Sequence, residues 1–294
     1  MFMIFGIPGP LLFGQLLLGL INGAFYALLS LGLAVIFGLL NIVNFAHGAL
    51  FMMGAFCAWM LLEYLGIGYW WSLLLAPIII GAFGILLEKT LISRLYKLDH
   101  LYGLLLTFGL AMVIEGLFRN QYGSSGLPYR IPPSLQGATD LGFMFMPNYR
   151  GWVVVAAAIV CFTTWALIER TRLGALLRAA TENAPLVQSF GVNVPRMVTL
   201  TYGAGVGLAA FAGVLAAPIY SVNPNMGSNF IIVVFAVVVI GGMGSILGSI
   251  VTGFGLGVVE GLTKVFYPQA SSTVIFVVMA IVLLIRPAGL FGRI

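Results

Sequence analysis

Nine apolar runs, at 11–40, 46–65, 70–92, 101–119, 151–168, 197–220, 229–246, 247–266 and 271–285, take up most of this chain. A run of about 20 apolar residues is long enough to cross a bilayer as a helix. Inside the bilayer the helix is favoured because it satisfies its own backbone hydrogen bonds where no water can. Only 7% of the 294 residues are charged, against roughly 25% in a soluble domain. A surface so poor in charge cannot be solvated by water, so lipid must cover it. The expected fold is an all-α polytopic membrane protein with about eight to ten transmembrane helices, forming one domain over 1–294.

Two places interrupt this pattern. The first run is long for a single crossing, so it is tilted or broken near its end. The stretch 229–266 is continuous in hydropathy, and Gly241, Gly242, Met243, Gly244 and Ser245 are its only punctuation. Broken helices are therefore expected near 41–48 and 241–245. Residues 1–12 carry no basic leader and no evident cleavage site, and read as the approach to the first span. Cys57 and Cys161 both lie in apolar runs and read as packing residues, not a disulfide framework.

The basic residues set an orientation. Lys89, Arg94, Lys97, Arg170, Arg172, Arg178, Arg196, Arg286 and Arg293 fall in or beside 93–100, 169–196 and 286–294. Arg119, Arg130, Arg150 and Lys264 fall on the opposite side. The positive-inside rule then makes the C-terminus cytoplasmic, and nine crossings put the N-terminus outside. The net charge of +5 sits in these loops, which fits membrane orientation better than a basic nucleic-acid face.

Two polar stretches remain. Segment 120–150 is rich in Gly, Pro and Ser and suits an external cap. Segment 169–196 carries charges beside aliphatic residues. A short helix is expected over 173–183, with Pro185, Gly191 and Pro195 as later breaks. It is either an ordinary charged loop or a docking surface for another protein.

Catalytic signatures are missing from the sequence: there is no GxxxxGK[ST], no HExxH, no Cys/His cluster and no GxSxG. Metal catalysis and nucleotide hydrolysis by this chain alone are disfavoured. Of the two histidines, His47 lies in an apolar neighbourhood and His100 in a loop. The run NIVNFAHG carries Asn41, Asn44, His47 and Gly48. A helix break here would expose backbone groups suited to a ligand at mid-membrane depth. The other reading is interhelical hydrogen bonding that only fixes packing.

Glu115 precedes Arg119 by four residues, and Glu260 precedes Lys264 by four. Each pair shares a helix face in the favourable order. An acid within a span is a functional candidate, here for an external gate. Alternatively each pair neutralises itself while the basic side chain snorkels outward. Gly203, Gly205 and Gly207, and Gly253, Gly255, Gly257 and Gly261, permit close approach of neighbouring helices. Pro77 and Pro218 are expected kinks or tolerated interruptions.

The run INGAFYALLSLGLAVIFGLLNIVNFAHGALFMMGAF resembles the N-terminal signature of LivH-type permeases, the membrane subunits of branched-chain amino acid ABC importers. The resemblance continues through LLLTFGLAMVIEGLFRN, RTRLGALLRAATENAPLVQSFGVNV, GGMGSILGSIVTGFGLGVVEGL and the ending RPAGLFG. It covers nearly the whole chain and is weakest over 120–150. It implies a LivM-type companion permease, two cytoplasmic ABC ATPase subunits that bind ATP and Mg, and a periplasmic binding protein, in a bacterial inner membrane. No cofactor is expected on this chain. The resemblance makes 169–196 the ATPase-coupling segment, with Arg178, Glu182, Asn183 and Gly191 in it. It places Asn41, Asn44, His47, Gly48, Gly241 and Gly242 along the translocation path. A urea or short-chain amide permease is the rival within the class. An ATP-independent secondary transporter or channel is the rival outside it, and would have no need of a docking segment.

Overall fold

The computed structural model describes residues 3–4, 7–40, 44–96, 98–142 and 144–292. Asn41, Lys97 and Arg293 lie outside the described residues. Among the described residues eleven α-helices run in order: α1 Gly9–Leu40, α2 Ala46–Leu65, α3 Tyr69–Thr90, α4 His100–Tyr122, α5 Asn148–Arg170, α6 Arg172–Glu182, α7 Ala184–Ser189, α8 Val194–Tyr220, α9 Met226–Gly241, α10 Ile246–Phe266 and α11 Val274–Ile285. Strand content among the described residues is limited to short pairings such as Ala138–Asp140 with Phe145–Pro147.

Among the described residues seven helices are long and apolar enough to cross a membrane, while α9 and α11 are shorter apolar helices. At 1.5 Å per residue α9 is about 24 Å long and α11 about 18 Å, against about 30 Å of hydrocarbon. The chain is a multi-pass membrane protein. Each of the nine apolar runs corresponds to one of these helices, and both expected breaks are present. α1 ends at Leu40 and α2 begins at Ala46. α9 ends at Gly241 and α10 begins at Ile246, with Gly242 and Gly244 between them at φ of 99° and 83°. Only glycine takes such angles without strain, which is why the punctuation is glycine.

α1 is the central helix. It packs along α10 backbone to backbone: a Cβ on Gly257 would stand 2.3 Å from the Gly19 carbonyl oxygen, and one on Gly253 2.5 Å from Cα of Ala27. α2 and α8 meet in the same manner at Gly213, where a Cβ would stand 2.1 Å from the Phe51 oxygen. Lipid gives helices little hydrophobic reason to associate, so this close fit carries the packing. Pro77 lies inside α3, and Gly207 of α8 passes close to its carbonyl, leaving room for the interrupted ladder.

The bundle has two chemically distinct ends. One, the cap end, holds 123–147, where Leu127 pairs its backbone with Val222. The other, the basic end, holds the described residues of the link 91–99, the segment 171–193 and residues 286–292. Here Leu290 and Phe291 donate their N–H groups to the carbonyls of Ile240 and Gly241 at 2.8 and 3.1 Å. The RPAGLFG ending thus satisfies carbonyls that the end of α9 would otherwise leave unpaired. Cys57 and Cys161 are buried and free.

Candidate coupling segment and translocation sites

Segment 169–196 holds two helices where one was expected. Pro185 and Pro195 do not end helices. They sit in the first turns of α7 and α8, where a missing N–H costs nothing. Asn183 begins α7 by accepting the Leu186 N–H at 3.0 Å, so its side chain is spent on the cap. Glu182 ends α6 and is exposed. Gly191 is exposed at φ 83° with nothing near its missing Cβ, and it reverses the chain after α7.

α6 turns Gly174, Leu177 and Ala180 inward. Arg178 ties it to the end of α5, donating to the Ile168 carbonyl at 3.0 Å and pairing with Glu169 at 3.3 Å. Leu177, Arg178 and Thr181 border the same crevice as Ala34 and Gly38 of α1 and Gly244 of the second break. The segment therefore abuts both the helix that leads into the first break and the second break itself. Its outer face leaves Leu173, Leu186 and Phe190 exposed, Phe190 at 79%.

A buried carboxylate that sequence reading passed over lies beside this segment. Glu88, 2% exposed, accepts hydrogen bonds from Tyr96 at 2.5 Å and Thr199 at 2.7 Å. It borders a cavity of about 560 Å³ with Ala180, Ala184, Pro195 and Arg196. Burial and the bond to Glu88 push the Tyr96 hydroxyl well above its ordinary value, so it stays protonated and donates. In the sequence Glu88 looks like a flanking charge beside Lys89. Only the fold brings Thr199 to it across 111 positions. Thr199→Val should remove one donor from a buried charge and cost about 1–3 kcal/mol. Thermal unfolding in detergent should show the loss for valine and not for serine, and an unshifted valine variant would mean that the bond holds nothing.

The first break is polar and enclosed. Asn44 donates to the Tyr202 hydroxyl at 2.9 Å, and Nε2 of His47 meets the Leu29 carbonyl at 3.1 Å. Oδ1 of Asn44 and Nδ1 of His47 are buried without a hydrogen-bond partner among the described residues. Gly32 leaves space for the imidazole, whose Cε1 would stand 3.0 Å from a Cβ there. Gly48 packs against Gly227 of α9, also at sub-van der Waals distance for any Cβ. The crevice beside His47 has no room for a water molecule. Gly241 and Gly242 are likewise buried, Gly241 against Gly248 and Gly242 against Gly289 and Gly292.

The two acid–base pairs differ. Glu260, 8% exposed, is bonded to Lys264 at 2.5 Å and also to Tyr26 at 2.7 Å and Asn22 at 3.4 Å, both on α1. Asn22 in turn accepts from Tyr220 of α8 at 3.3 Å. This carboxylate joins three helices and does more than neutralise its neighbour. Glu115 and Arg119 are not joined: Arg119 donates to Asn225 at 2.5 Å, at the start of α9. Glu115 makes no hydrogen bond or salt bridge among the described residues.

Residues 15–284 match the protein family described as branched-chain amino acid transport system / permease component. This chain belongs to that family. It is 30% identical over 292 residues to the high-affinity branched-chain amino acid transport system permease protein BraD of Pseudomonas aeruginosa, covering 95% of both chains. It is 29% identical over 298 residues to LivH of Salmonella typhimurium, again covering 95% of both. It also matches LivM of that organism, at 27% over 294 residues, 90% of this chain and 67% of that one. This permease is thus related to both members of a permease pair. No solved structure matches it.

Proposed function

We propose that this permease is one of two membrane subunits of an ATP-driven importer of branched-chain amino acids in a bacterial inner membrane. A LivM-type chain is its companion, and a periplasmic binding protein delivers the substrate at the cap end. Two cytoplasmic ATPase subunits carry the ATP and Mg and grip the basic end, so the C-terminus is cytoplasmic. The observation that carries this reading is the end-to-end match to chains named as branched-chain amino acid transport permeases. The excess of Lys and Arg at the basic end supports the orientation.

Coupling follows from the contacts. Closure of the ATPase pair moves α6 and α7 through Leu173, Leu186 and Phe190, which are exposed for it. α6 passes the movement to α1 and to Gly244, which share its crevice. Asn44, His47 and Gly48 hold one broken segment beside the path, and Gly241 and Gly242 the other. Rigid movement of the bundle about these two points alternates access.

The test is reconstitution of the four kinds of subunit in proteoliposomes, with uptake of leucine, isoleucine, valine and urea followed separately. ATP-dependent uptake of the aliphatic amino acids is expected. Uptake of urea alone would transfer the permease to the amide importers, and uptake without ATP or ATPase subunits would make it a secondary transporter.

A further inference from the structure

α4 and α9 run antiparallel over α2 and are joined at both ends of a furrow. At the cap end the joint is the bond from Arg119 to Asn225. At the other it is aromatic: Phe45, in the first break, lies 6.3 Å from Phe108 of α4 and 6.0 Å from Phe235 of α9, ring centre to ring centre. The Phe45 N–H also donates to Thr107 of α4 at 3.2 Å. Unlike its neighbours Asn44 and Ala46, Phe45 is only half-buried. Among the described residues of the break it is the one that faces out of the core.

Between these joints the furrow is lined by groups that do not belong in lipid. Glu115 is half-buried and lies seven residues from the end of α4, about 10 Å below it. Ser228 and Asn229 are exposed in the first turn of α9. A carboxylate at that depth is stable against a bundle interior or an aqueous cavity, and costly against hydrocarbon. Met112, one turn before Glu115 on α4, and Ile232, one turn further along α9 than Ser228, are 61% and 60% exposed.

We propose that this furrow is the share of the translocation path that this permease contributes, with Glu115 and Arg119 receiving the two charges of an amino-acid zwitterion and Phe45, Phe108 and Phe235 closing the way below them. The inference rests on the companion permease proposed above, which covers the open side of the furrow. The carboxylate of Glu115 takes the ammonium group, and the guanidinium of Arg119 takes the substrate carboxylate in place of the neutral Asn225. Met112 and Ile232 meet the aliphatic side chain. In this arrangement His47 and Asn44 stand behind Phe45 and set its position.

Single cysteines at Met112 and Ile232, in a permease with Cys57 and Cys161 replaced by alanine, test this in the assembled transporter, with Ile78→Cys in the middle of α3 as the control. Ile78 is 66% exposed, so exposure in the isolated chain predicts equal behaviour for all three. A membrane-impermeant cationic thiol reagent needs water and a thiolate, and should modify the furrow positions at least about tenfold faster than the control. Saturating leucine-loaded binding protein should slow that reaction. Equal rates at all three positions would overturn the furrow as a path, whichever solute is carried. Glu115→Gln tests the charge assignment: leucine uptake should fall about tenfold while the ATPase subunits still co-purify, and unchanged uptake would overturn that role. Failure of the ATPase subunits to co-purify with wild-type permease would count against the importer reading, and thiol accessibility would still judge the furrow.

Discussion

Leucine at position 257 should abolish the folded permease, while leucine at 255, two residues away on the same helix, should be tolerated. A Cβ at Gly257 would stand 2.3 Å from the Gly19 oxygen and 2.4 Å from Cα of Gly23. Both obstacles are backbone, so no rotamer change relieves them. The helices would have to separate along a seam that continues through Gly253 and Ala27 to Gly244 and Gly38. Overpacking a fitted contact costs about 1–3 kcal/mol where side chains can yield, and here they cannot. Gly255 has nothing within 4 Å of its missing Cβ, so it carries no such penalty. The monodisperse fraction on size-exclusion chromatography reads the difference. A wild-type yield from Gly257→Leu would refute the seam.

The second large effect is expected at the opposite kind of surface. Replacing Leu186 and Phe190 together with aspartate should leave the bundle intact, since they are 54% and 79% exposed. Transport should nevertheless fall at least about tenfold, because exposed aromatic and aliphatic anchors of this kind dominate interface energies. ATPase subunits should be lost on purification while the melting temperature of the permease stays unchanged. Full transport by the double variant would mean that α6 and α7 are not where the ATPases grip. The two experiments separate cleanly: Gly257 concerns only the bundle, and Phe190 concerns only what the bundle binds.

Both effects trace to sequence features of different visibility. The small residues of α10 are obvious as a pattern, Gly253, Gly257 and Gly261, but the pattern does not name its partner. The partner is α1, through Gly19 and Gly23, which single-chain hydropathy reads as two glycines in a long apolar run. The charged segment was visible as an interruption. Its second helix was not, because Pro185 and Pro195 read as breakers until it is known that each starts a helix.

The pairing of charges shows the same limit. Spacing by four made Glu115–Arg119 and Glu260–Lys264 look alike. Only one of them is a salt bridge, since the Arg119 guanidinium hydrogen-bonds to Asn225 across 106 positions and Glu260 gathers Tyr26 and Asn22 as well. A four-residue spacing says that two side chains can meet, and the neighbours then decide whether they do. Glu88 went unnoticed for the same reason: the donors that make its burial possible, Tyr96 and Thr199, come from elsewhere.

What the sequence determined alone is the class of molecule, the position of its apolar helices, both helix breaks and the separation of a basic end from a polar cap. These follow from local properties: the length of an apolar run, the conformational freedom of glycine, the distribution of charge. The tertiary structure decided which helices touch, which acid is bonded and which is open, and which residue of the first break faces outward. Those outcomes depend on contacts between residues tens to hundreds of positions apart. In a bilayer, where apolar burial hardly distinguishes one helix partner from another, close steric fit is what selects them, and fit exists only in three dimensions.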